Sequence, residues 1–156
     1  MRRHLYFYTL VESPPAADCQ MLHDDPARWL PSPATQTKQG WEVDLHAEGA
    51  LPRALARHRV IVDVGPAVGE PGRHLRSLRW RSATAPGLFP VFDGDLELVA
   101  LSGGDCQLSL MGTYRPPLSV AGGAGDALLG HHVAEACVRR FVLDAAHRMA
   151  GVTLGA

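Results

Sequence analysis

The order of elements along this chain predicts an α+β domain in which one long C-terminal helix lies across a curved antiparallel sheet. Three observations lead there. Strand-like runs follow one another without the intervening helices that a parallel sheet requires. The last run, residues 106–114, stops at Pro116-Pro117, and Ala121-Gly122-Gly123-Ala124-Gly125 supplies a hinge. Residues 126–150 then read as uninterrupted helix. A final helix of that length must lie across a curved sheet to bury its apolar face, and that arrangement makes a cup.

The opening run, residues 5–11, is aromatic and β-branched and reads as a strand. Ser13-Pro14-Pro15 ends it, with Ser13 placed to cap the next segment. Residues 16–30 are helix-like, broken near Asp24-Asp25-Pro26 and stopped at Pro31-Ser32-Pro33. Five strand candidates come next, at residues 40–46, 57–64, 74–81, 95–100 and 106–114. The last two flank Ser102-Gly103-Gly104-Asp105, a hairpin turn. The loop over residues 82–93 holds Pro86, Phe89, Pro90 and Phe92 and is expected to pack as a crossover.

At 156 residues the chain is one domain by size, residues 1–156, able to bury roughly 70% of its unfolded surface. A net charge of -1 gives no positive field for nucleic acid or an anionic membrane, so neither is an expected partner. Fourteen of the 15 basic residues are arginine, a skew that fits a GC-rich genome better than a guanidinium-based function. Cys19, Cys106 and Cys137 are far apart and odd in number, so they read as reduced thiols of a cytoplasmic protein. The apolar run after Arg2-Arg3 is too short and too aromatic for a signal peptide. No stretch of about 18 apolar residues exists to span a bilayer.

On a helical wheel, Ala127, His131, Ala134, Val138, Phe141, Ala145 and Met149 share one side, and Leu129, Val133 and Ala136 extend it. The small residues mean that the helix either sits close to the sheet or leaves a ligand-sized gap near Ala134. His131 is the outlier on this apolar stripe. It reads as a histidine satisfied at the mouth of the cup, or as a group that polarises a ligand and shuttles a proton. No metal is expected, because His131 and His132 diverge by 100° around the helix and no third ligand has suitable spacing.

Two segments resemble the second half of the START-like, helix-grip domains. One is Leu78-Arg79-Trp80 with Leu88-Phe89-Pro90, Phe92, Gly94 and Leu96-Glu97-Leu98. The other is Leu108 to Pro117 with Gly123, Asp126 and the closing helix. This superfamily includes polyketide cyclases, Bet v allergens and coenzyme Q-binding proteins. The resemblance covers roughly residues 75–150 and implies a curved antiparallel sheet of six to seven strands wrapped around the C-terminal helix, with a hydrophobic tunnel between. It carries over a fold and a ligand class, with no shared catalytic residues and no cofactor. Six strands are legible, so a seventh is expected to be short, missing or hidden between Gly65 and His74.

In such a cup, strand alternation sends Trp41, Val43, Leu45, Val60, Val62, Leu78, Trp80, Leu96, Leu98, Leu108, Leu110 and Tyr114 inward. His58 and Arg76 share that parity and could meet a ligand carbonyl or carboxylate, or sit at a wet rim. The candidate ligand-binding residues are therefore His131, Ala134, Val138 and Phe141 from the helix, and Trp41, His58, Arg76, Leu78, Trp80, Leu110 and Tyr114 from the sheet.

Other chemistry finds little support. Ser102-Gly103-Gly104-Asp105 is no nucleophile elbow, and Gly122-Gly123-Ala124-Gly125 lacks the lysine of a phosphate loop. Asp24-Asp25 and Asp93-Gly94-Asp95 lie in expected turns. Three readings of function remain. The first is a carrier or sensor that shields a hydrophobic small molecule such as a lipid, polyketide or isoprenoid. The second is a polyketide cyclase or dehydratase-like enzyme using His131, His58, Arg76 or Tyr114. The third is an interaction module, possibly a homodimer, with a cup filled by its own side chains.

Overall fold

The computed structural model describes residues 2–11, 20–46, 57–84, 87, 89–115 and 124–152. Eight strands form one antiparallel sheet: β1 (Arg3–Val11), β2 (Ala34–Thr37), β3 (Gly40–His46), β4 (Arg57–Val64), β5 (Val68–Glu70), β6 (Arg73–Ser82), β7 (Val91–Ala100) and β8 (Cys106–Arg115). Their order is β1-β8-β7-β6-β4-β3-β2, with β5 paired to the start of β6. One long helix, α1 (Ala124–Val152), closes the chain. Its 29 residues span about 43 Å at 1.5 Å per residue.

Five of these strands coincide with runs legible in the sequence, and a sixth, β7, begins four residues before the expected run, so that Phe92 and Asp93-Gly94-Asp95 lie in the strand and not in a loop or turn. The strand expected between Gly65 and His74 is β5, three exposed residues that take up β6 where its pairing with β4 ends at Leu78. β2 is the eighth. It comes directly after Pro31-Ser32-Pro33 and pairs with β3, so the proline cluster marks the entry to a strand as well as the end of the preceding segment. That segment is not α-helical over its described part. It forms two 3-10 turns, Gln20–His23 and Pro26–Arg28. Asp25 caps the second by accepting a hydrogen bond from the Ala27 N–H at 2.9 Å, with Pro26 at the first turn position. The expected cap at Ser13, residues 121–123 of the expected hinge and the Pro116-Pro117 stop lie outside the described residues, as do the side chains of Ala127 and Leu129, while Ala124 and Gly125, also expected in the hinge, open α1.

The alternation rule holds on the concave face. Val43, Leu45, Val60, Val62, Leu78, Trp80, Leu96, Leu98, Leu108, Leu110 and Tyr114 are all buried, and Trp41 alone of the expected inner set is half-buried, near the β2 edge. The helix answers with Ala134, Val138, Phe141, Ala145 and Met149, joined by Val133, Cys137, Val142 and Ala146. Met21, Leu22, Trp29 and Leu30 from the 3-10 segment plug the end of the cup where β6 begins. Arg148 ties that plug to the helix by donating to the Ala27 carbonyl at 2.7 Å.

The middle of the cup is packed solid. Trp80 stacks on Phe92 with ring centroids 4.4 Å apart and meets Phe141 of α1 at 5.3 Å. The Phe92 ring has room because the concave positions beside it are Gly94 and Gly112, which face one another across β7 and β8. A Cβ on either would approach the Phe92 Cζ to 2.8 Å and would press still closer on the opposite strand's backbone. Leu96, Leu98, Leu110, Phe141, Val142 and Ala145 have essentially no accessible surface, so no water-sized void borders them. The tunnel implied by the family resemblance is filled at this level. The loop after β6 likewise packs: Phe89 and Pro90 are buried.

Cys106 is disulfide-bonded, which corrects the expectation of three reduced thiols; Cys19 lies outside the described residues. Cys137 is free and buried, and burial pushes its thiol up to about 12, so it stays protonated and inert at neutral pH.

Phe141 joins the helix to the aromatic stack with no room to relax. Phe141→Ala is expected to lower unfolding free energy by about 3–5 kcal/mol in urea titrations, leaving the sheet's far-ultraviolet signature intact.

Candidate functional site

Strand register gathers the polar candidates at one end of the cup. Tyr114 lies near the end of β8, Phe92 beside it near the start of β7, and Trp80 beside Phe92 near the end of β6. Beyond Trp80 come Ser82 and, on β4, His58 and Val60. The segments that connect these strand ends, residues 47–56, most of 85–88 and 116–123, lie outside the described residues.

Two polar pairs stand here, beside the buried rings of Phe92 and Trp80. The Tyr114 hydroxyl lies 2.7 Å from His131 Nδ1, joining β8 to the second turn of α1. Burial raises the pKa of the Tyr114 phenol against the pull of the Arg3 guanidinium, so the hydroxyl keeps its proton throughout the physiological range. Tyr114 is buried, whereas His131 is only half-buried and reaches outward from the pair. The second pair is His58 Nε2 with the Ser82 hydroxyl, 2.6 Å apart. The His58 ring also stacks on Phe89 at 4.1 Å and 3°. Burial lowers the His58 pKa, favouring the neutral ring. With strands about 4.8 Å apart, Tyr114 on β8 and Trp80 on β6 are separated by roughly 10 Å of sheet with Phe92 between them, and Ser82 lies two residues beyond Trp80.

Arg76 sits at the opposite end and is occupied by backbone. It donates to the carbonyls of Gly65 (2.9 Å), Leu22 (3.0 Å) and Asp24 (3.3 Å), and its guanidinium lies 5.8 Å from the Trp29 ring centre. Desolvation lowers its pKa, with Asp25 opposing. Trp41 and Arg76 share an open recess there with His23, Asp24 and Asp25, about 430 Å³ in volume. His23 Nε2 and His74 Nδ1 meet beside it at 2.8 Å. Leu78, Leu110, Ala134, Val138 and Phe141 form the packed wall between the two ends. Among the described residues no group of three or more His, Cys, Asp or Glu side chains is arranged to hold a metal.

Ser82 and Phe92 did not emerge as site residues from the sequence, although both carry a signal. Ser82 shares the parity of Leu78 and Trp80, and a small hydroxyl at the end of an inward-facing series marks a polar rim. Phe92 opens β7 two residues before a glycine that faces another glycine. Phe89 and His58 lie 31 positions apart, and only the turn between β6 and β7 brings them together.

No protein-family model matches the chain, and no curated protein sequence matches it. Solved structures do match. A truncated norcoclaurine synthase from Thalictrum flavum aligns over all of this chain and 96% of its own, with a TM-score of 0.55 at 8% identity. The Zhui aromatase/cyclase from a Streptomyces species covers 99% and 94%, with a TM-score of 0.54 at 15% identity. A conserved protein from Geobacillus kaustophilus covers 97% and 96%, with a TM-score of 0.54 at 11% identity. The chain has a START-like helix-grip fold. At these identities the likeness extends to the fold, and the START-like cup of this protein carries an aromatic plug at Trp80, Phe92 and Phe141. No helix among the described residues is long and apolar enough to cross a membrane.

His58 has a lowered pKa in the folded state, so the unfolded chain binds its proton more readily. Stability from this residue is therefore complete above about pH 6.5 and is lost as pH falls below it towards the folded pKa. His58→Phe keeps the stack on Phe89 and removes the titration. Its melting temperature is expected to decline less steeply than that of the parent protein between pH 7 and 5.

Proposed function

We propose that this protein, acting as one domain, binds a small hydrophobic molecule at the loop end of its START-like cup, as a carrier or sensor of a lipid, polyketide or isoprenoid-like compound. The observation that carries this reading is the Tyr114–His131 hydrogen bond set beside the aromatic floor of Phe92 and Trp80. Apolar ligands are held by apolar walls with a few polar groups that fix orientation, and this end of the molecule supplies both. The packed middle directs the ligand to the mouth, with His131, Tyr114 and His58 as polar anchors and Trp80 as floor. The partner this reading requires is the ligand, and it is compatible with a homodimer. It retains the cytoplasmic location expected from the sequence, against which the disulfide at Cys106 counts, because such bonds persist chiefly in oxidising compartments.

The same dyad supports a second reading, a cyclase or dehydratase-like enzyme. When His131 carries its proton on Nδ1 and donates it to the Tyr114 oxygen, Nε2 is left as an acceptor and the phenol O–H is free to donate. A ligand carbonyl bound by Tyr114 would gain charge as His131 Nε2 removes the adjacent C–H proton, and the phenol would stabilise the resulting enolate oxygen. Returning that proton to the enolate oxygen would complete an enolisation. In an aldol-type closure the enolate carbon would instead attack a second carbonyl carbon of the ligand, the π bond of that carbonyl would break, and the proton held on His131 would pass to the new alkoxide oxygen. The similar fold named as an aromatase/cyclase is the comparison that favours this chemistry.

The test is native mass spectrometry of the protein purified from its own host, followed by thermal shift against the extracted compound and its apolar analogues. A stoichiometric ligand is expected. Tyr114→Phe, which keeps the ring and loses the hydroxyl, should then weaken binding roughly five- to fifteenfold, the worth of one hydrogen bond. Slow conversion of bound ligand, abolished in His131→Gln, would move the assignment to the enzyme. A clean apo mass with no shift across the panel would overturn both and leave an interaction module with a filled cup.

A further inference from the structure

Arg3 stands at the same rim as the Tyr114–His131 pair and heads the inward-facing series of β1. Leu5, Phe7, Thr9 and Val11 share its parity, and Leu5 and Val11 are buried in the core. Arg3 is the cross-strand partner of Tyr114, so the two side chains leave neighbouring positions on the concave face, with Cβ atoms about 5 Å apart. Arg3 is half-buried, and its guanidinium donates a hydrogen bond to the Tyr114 oxygen.

What this arginine lacks is a counter-charge. The ion pairs among the described residues are Arg28–Asp24, Arg59–Asp44, Arg73–Glu97, Arg81–Asp63 and Arg140–Asp144, and Arg3 belongs to none of them. Arg76, of inward parity on β6, spends its donors on three backbone carbonyls, whereas Arg3 has the Tyr114 oxygen alone among the described residues. A guanidinium carries five N–H donors in a planar fork, so most of its capacity is unspent. Glu135 of α1 acts on the same phenol without bonding to it, and it is exposed, where water and salt screen it. Arg2 and Arg115 lie on the outer face of the same strand ends, with Asp93 as the acid beside them. A cation withdrawn from water at the mouth of an apolar cup is stabilised by an anion that comes to it.

We propose that the ligand held at this rim is an apolar acid, whose carboxylate is clasped by the free side of the Arg3 fork and accepts a hydrogen bond from the Tyr114 hydroxyl. The Tyr114 oxygen then accepts from Arg3 and from His131 Nδ1–H and donates to the ligand, which uses its full capacity. Arginine suits a carboxylate because two parallel N–H groups meet its two oxygens. One half-buried guanidinium balances one negative charge, whereas a phosphate monoester, with about 1.5 to 2 charges at neutral pH, would stay partly unpaired. This rests on the ligand site proposed above and narrows its occupant from hydrophobic compounds in general to those with a carboxylate head.

Two matched pairs of probes test it: decanoate with 1-decanol, and 2-naphthoate with 2-naphthylmethanol. Each is titrated at about pH 8, where carboxylic acids are ionised, while the amide resonances of Tyr114 and His131 are followed. In at least one pair the acid is expected to bind at the rim about ten- to a hundredfold more tightly than its alcohol, the worth of a hydrogen bond to a charged group. That margin should shrink as salt is raised. Arg3→Gln should bring the acid down to the affinity of its alcohol, and Arg3→Lys, a charge without the fork, should keep part of the margin. Alcohols that bind the rim as tightly as their acids overturn the carboxylate head and leave the ligand site standing. An acid preference that survives Arg3→Gln, or that salt does not diminish, likewise overturns the role of Arg3. If no probe perturbs Tyr114 or His131, the ligand site itself falls and this proposal falls with it.

Discussion

The fold turns on the contact between Gly94 and Gly112. They are cross-strand partners on the concave face of β7 and β8, and neither tolerates a Cβ, because the opposite backbone already occupies that space. With no side chains there, the tip of the Phe92 ring lies over the seam. From that position it stacks on Trp80, and Trp80 reaches Phe141 on the helix. A single bare row in the sheet thus decides how deeply the helix sits and how the interior is filled.

The functional consequence is a division of the molecule into two ends. At one end the 3-10 segment inserts Met21, Leu22, Trp29 and Leu30, and Arg76 secures it through three carbonyls. At the other, the strand termini bring Tyr114 with His131 and Ser82 with His58 to the same rim. The aromatic plug that stabilises the fold borders this rim, since Phe92 is the cross-strand partner of Tyr114. Packing and polar chemistry therefore share Phe92 and Trp80, and a change at either affects both.

Much of this was legible because strand alternation is a local property. Val60, Val62, Leu78, Trp80, Leu96 and Leu98 point inward as their parity requires, and a helix with Phe141 and Met149 on one stripe has one face to bury. β2 was not legible, because Ala-Thr-Gln-Thr after a proline cluster has no apolar alternation and is held only by its pairing with β3. The filled interior was hidden for another reason. Ala134 and Ala145 suggested space beside the helix, but that space belongs to side chains from distant strands, and no local pattern records which of them swings across. Arg76 shows the same limit. Its parity aimed it at the cup correctly, but the turn at Leu22 and Asp24, more than 50 positions earlier, arrives to claim its hydrogen bonds. Likewise the odd count of cysteines gave no hint that Cys106 is bonded.

The central claim is that the cup is filled around Trp80, Phe92 and Phe141, which is why the ligand site proposed above is put at the loop end. Xenon under pressure reports apolar voids directly, since it enters dry cavities and scatters strongly. In crystals of the wild-type protein, the account predicts no xenon between the sheet and α1 at the level of Phe141, while Phe141→Ala crystals bind one there. Xenon beside Tyr114 and His131 would agree with a ligand site at the rim. Xenon against Phe141, Leu96 or Leu110 in the wild-type crystal would contradict the account and restore a tunnel through the fold.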